Sequence, residues 1–140
     1  MELAVTEFKQ ILTDTNELHG WTIPKYVVEY ESRILAERLD KPNWQPKDSY
    51  AEQYMRVRTT RDALHLANVC FFTRTVFPEL LERRGIKDTY FVSMGQSCYD
   101  RVFKDCASHT IQIMRDHFEF LAETAHTAIR YHGKFRSMWD

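Results

Sequence analysis

Four ionisable residues fall where helical periodicity expects hydrophobes: Glu31, Asp62, His65 and His117. A charged group on an apolar helix face is costly to bury unless it is paired, hydrogen-bonded or bound to an ion. Two carboxylates and two imidazoles make a suitable shell for a single transition-metal ion. An open position on such an ion activates water or oxygen, so the matching chemistry is redox or hydrolytic. Asp62 and His65 are three residues apart, which places them on one helix face.

A second carboxylate-x-x-histidine stretch, Glu123-Thr124-Ala125-His126, repeats the spacing used by ferritin-like carboxylate bundles. The helical wheel weakens that match. Glu123 and His126 fall with Gln112, Arg115, Glu119 and Arg130, opposite an apolar arc through Val102, Phe103, Ile113, Met114, Phe118, Leu121, Ala125 and Ala128. His117 falls within that arc. A competing account needs no metal. Arg38 and Arg58 share the faces of Glu31 and Asp62, so they can neutralise the carboxylates and leave a buried polar network that fixes helix register. Inward arginines suit that network better than they suit a cation site.

Two further sites are suggested by residue type. Tyr54, Arg58, Arg61 and Tyr99 could line an aromatic pocket in which a guanidinium meets a small anionic ligand. Cys106 and His109 are three apart, but a reactive thiolate needs accessible, electropositive surroundings and Cys106 lies inside the apolar arc. The four glycines are scattered, so no phosphate-cradling loop exists, and there is no Gly-x-Ser-x-Gly elbow.

The elements that position these residues are helices. Val5, Phe8, Ile11, Leu12, Thr15 and Leu18 recur at spacings of three and four until Gly20 supplies a stop. Thr22 and Pro24 signal a second helix running to about Leu39, with Val27, Val28, Glu31, Ile34, Leu35 and Arg38 on one face. Residues 40–48 contain two prolines and read as a loop, whose Trp44 is either a lid on the bundle or a partner contact. A third helix is expected from Asp48 or Ser49 to about Val76, with Tyr54, Val69, Phe72 and Val76 inward. Pro78 either kinks it or opens a new helix that ends at Gly85. A last long helix follows from Asp88 or Ser93 to about Tyr131. No stretch alternates with a period of two, so the fold is expected to be all-α, a bundle of four to five helices with mostly antiparallel neighbours. Residues 1–132 form the domain and 133–140 a C-terminal tail.

Composition narrows the function classes. The 140 residues fit one domain, and 44% hydrophobic content supports a packed core. Lys and Arg number 19 against 20 Asp and Glu, so the basic excess of a nucleic-acid binder is missing. No run is apolar enough to span a membrane, and Met1 to Val5 lack the pattern of a signal peptide. Three unclustered cysteines (Cys70, Cys98 and Cys106) argue against a disulfide framework and point to the cytoplasm. Apolar residues exceed what a narrow seam requires: Phe71 with Leu64, and Ile111 with Ile129, widen the apolar faces, as either a second neighbour within the bundle or a homodimer would. The expectation is a non-enzymatic cytoplasmic bundle acting through helix-face protein contacts as a homo-oligomer. The alternatives are the metal-binding bundle on Glu31, Asp62, His65 and His117, with one transition-metal ion, and the small anionic ligand binder.

Overall fold

The computed structural model describes residues 2–39 and 49–132. Eight helices are found among them: α1 Glu2–His19, α2 Lys25–Leu39, α3 Tyr50–Met55, α4 Thr60–Val76, α5 Pro78–Arg83, α6 Asp88–Cys106, α7 His109–Asp116 and α8 Phe118–Arg130. The all-α expectation holds; the count of four to five does not. Trp44 and the expected tail lie outside the described residues.

The extra helices come from three breaks. The expected third helix divides at Arg56–Thr59, where Thr59 starts α4 with a capping box: its hydroxyl accepts from the Asp62 backbone N–H, and Asp62 accepts from that of Thr59. The expected last helix divides twice. Ala107 adopts a left-handed φ of 51° after α6, and the Ser108 hydroxyl caps α7 by accepting from the Ile111 N–H. His117, at φ −122° and ψ 28°, then separates α7 from α8. Pro78 opens α5 at its first position, where a missing N–H costs nothing. Gly20 and Gly85 both take φ of 70°, ending α1 and α5 as expected.

α4 lies at the centre and packs on α6, α8 and α2, while α1 covers α2 and α8. Its second half is buried almost all round, from Leu66 to Val76 apart from the half-buried Asn68, as a helix contacted from several sides must be. Phe71 meets Phe118 edge to face at 5.6 Å, and Ile111 and Ile129 are both buried in the same core. The widened apolar faces are therefore filled by neighbours within the bundle. α6 approaches this core through Gly95: a Cβ there would stand 2.5 Å from the Phe118 ring. Among the described residues no helix is long and apolar enough to cross a membrane.

Candidate functional site

A polar cluster in the interior is built from α2, α4 and α6. The hydroxyls of Tyr30 on α2 and Tyr99 on α6 both donate to the side-chain oxygen of Asn68 on α4, at 2.8 and 2.9 Å. Tyr99 is fully buried, so its phenol needs this partner. Burial holds Tyr99 well above the usual phenol range and pushes Tyr30 up to about 12. Both phenols are therefore permanent donors near neutral pH.

Glu31 follows Tyr30 and is 1% exposed. Its Oε2 has no hydrogen-bond partner among the described residues. Burial raises its carboxyl well above the usual range. It lies close enough to Tyr99 for the two charges to repel if both formed. The expected neutralisation by Arg38 does not occur. Arg38 is buried on the same face of α2 but directs Nη2 to His65 Nδ1 at 3.4 Å and Nη1 to Glu37 at 3.7 Å.

The other expected metal ligands are elsewhere. Asp62 is exposed and serves the α4 cap. Backbone hydrogen bonds from Arg58 and Thr59 hold its carboxyl below the usual range. Arg58 thus meets Asp62 through its main chain, at 3.2 Å, while its guanidinium donates to the carbonyls of Met55 and Val57. His65 is exposed and shares with Asp62 a small groove of about 300 Å³, also lined by Gln53, Arg56, Val57 and Leu66. His117 is exposed at the α7–α8 junction rather than inward. A wheel carried unbroken through residue 117 assigns it the wrong side. Among the described residues no three His, Cys, Asp or Glu side chains gather as a metal site would require.

The four expected pocket residues are not brought together. Tyr99 is in the core, and Arg58 and Arg61 are exposed. Tyr54 lines an open polar groove of about 700 Å³ with Gln96, Ser97, Asp100, Arg101, Lys104, Arg115 and Asp116. The cations of this groove are already engaged. Arg115 pairs with Asp100 at 2.9 Å and Asp116 at 2.7 Å, Lys104 pairs with Asp100 at 3.0 Å, and Arg101 donates to the Arg58 carbonyl at 2.7 Å. These partners hold the Asp100 and Asp116 carboxyls below the usual range.

A third groove, about 350 Å³, runs between the C-terminal ends of α1 and α8 and is lined by Thr15, Leu18, His19, Thr127, Ala128, Tyr131 and His132. Leu18 is 82% exposed and Tyr131 78%. His19 stacks on Trp21 at 4.3 Å, and Trp21 meets the 44% exposed Phe120 edge-on at 6.4 Å. The sequence places Leu18 with the core residues of its helix, but the structure leaves it exposed. Compared with known proteins, the chain matches no family model, no curated protein and no solved structure.

Proposed function

We propose that this protein is a non-enzymatic cytoplasmic helical module that acts through helix-face contacts, and that a second copy of the chain docks on the α1–α8 end. The observation that supports the reading is the exposure of Leu18 and Tyr131 on either side of one groove, with the Trp21–Phe120 contact beside it. Large apolar side chains grouped at the surface mark contact sites more often than isolated ones do. Leucine and tyrosine on both walls suit a two-fold contact, in which each residue is used twice. The cytoplasmic setting is supported by the three free thiols.

The test is solution mass by light scattering over a range of concentrations. Wild type is expected at a multiple of 16.8 kDa. Leu18→Lys with Tyr131→Lys is expected to return it to the monomer with unchanged helicity, since central contact residues contribute about 2 kcal/mol or more each. A wild-type monomer at the highest concentrations overturns the reading.

A further inference from the structure

We propose that Glu31 is a proton-operated latch for α2: with its proton in place α2 stays packed on the bundle, and loss of the proton releases it.

The geometry carries this. Glu31 sits in the middle of α2, with Val27, Val28, Ile34 and Leu35 buried around it. At 1% exposure a carboxylate formed there would be largely withdrawn from water, and Oε2 makes no hydrogen bond among the described residues. Among the described residues no cation is paired with the Glu31 Oε2. On α2 itself, Arg38 directs Nη2 to His65 and Nη1 to Glu37, and its buried Nε is without a partner and makes no bond to Glu31. On α4, the Asn68 oxygen already takes two phenol hydrogens, and Cys70 is a buried thiol that opposes negative charge on Tyr99. On α6, Tyr99 repels a Glu31 carboxylate if it ionises, and otherwise spends its hydrogen on Asn68. From α1, Lys9 and Glu2 reach only the rim of α2, pairing with Glu29 and Arg33. From α7, His109 meets Tyr26 at 5.9 Å. Ionisation therefore requires the site to open, and opening means moving α2.

Hydrogen exchange of the whole protein between pH 5 and 8 tests the latch, read as protection factors so that the intrinsic base-catalysed rate is removed. In wild type, protection in α2 is expected to fall by up to tenfold per pH unit, the limit for one coupled proton. Protection at the end of α8 serves as the internal control and is expected to fall less. Glu31→Gln keeps the shape and removes the titration; Glu31→Leu does the same without an amide to satisfy. Either variant is expected to show a level profile in α2. A level wild-type profile overturns the proposal, as does a fall that persists in a folded variant.

Discussion

Asn68 joins three helices through one oxygen. Replacing it with alanine strands the buried Tyr99 hydroxyl and leaves Tyr30 to find water. An unsatisfied buried donor costs about 1–3 kcal/mol, so Asn68→Ala should lower the unfolding free energy by about 2 kcal/mol in urea titration. Tyr99→Phe removes the donor together with the need for a partner. Combined with Asn68→Ala it should cost less than the two single changes added, which a double-mutant cycle reads directly. The sequence partly disclosed this cluster. Glu31 and Arg38 are buried where the periodicity of α2 puts them, and Asn68 falls on an apolar face of α4. Tyr30 gave no sign, because a tyrosine beside an inward glutamate reads the same whether its hydroxyl finds water or an amide. The partners lie 38 and 31 residues apart in the chain, and no local pattern encodes such a pairing.

At the scale of elements, α4 depends on its start and α6 on its closest approach. Thr59→Ala deletes half of the capping box and should cost about 1 kcal/mol, visible as a lowered Tm. Gly95→Ala gains helix propensity but drives a methyl group into the Phe118 ring. Overpacking of this kind typically costs about 1–3 kcal/mol, so the net effect should be destabilising in the same melts. A rise in Tm would mean that the ring can step aside. The all-α class was legible because the apolar period is clear in α1, α6, α7 and α8, although α4, buried almost all round in its second half, carries little of it. The helix count was not, because the breaks at Arg56–Thr59, Ala107 and His117 contain neither glycine nor proline. Thr59 with Asp62 and Ser108 before His109 were the available signals, and both are short. Each missed break also reset the phase of the wheel, which is why His117 and Tyr54 were expected inward and are exposed.

At the scale of the whole molecule, two sets of carboxyls set opposite limits on stability. Asp62, Asp100 and Asp116 are held below the ordinary aspartate value of 3.8 by their partners. Groups shifted down contribute stability above the unfolded value, and it is lost as pH falls through the folded value. All three are solvent-facing, so this limb should be shallow and should flatten further in high salt. Glu31 is shifted up, so its contribution is complete below the unfolded value of about 4.5 and is lost as pH rises toward the folded one. Tm should therefore peak on the mildly acidic side, near pH 5, and decline in both directions. Glu31→Gln should remove the alkaline decline between pH 5 and 8 and leave the acid one. A peak above pH 7 in wild type would contradict this balance.

The three cysteines divide between surface and interior. Cys106, expected inside the apolar arc, instead ends α6 in the open, while Cys70 and Cys98 are buried on facing helices. Burial keeps both interior sulfurs protonated, with Cys98 pushed up to about 11. The native protein thus offers one thiol to a maleimide or to Ellman's reagent and withholds two. A dye placed on Cys106 will mark the folded molecule at a single defined point. The rate at which the second and third equivalents react will count how often the α4–α6 pair parts, with no substitution needed to install the probe.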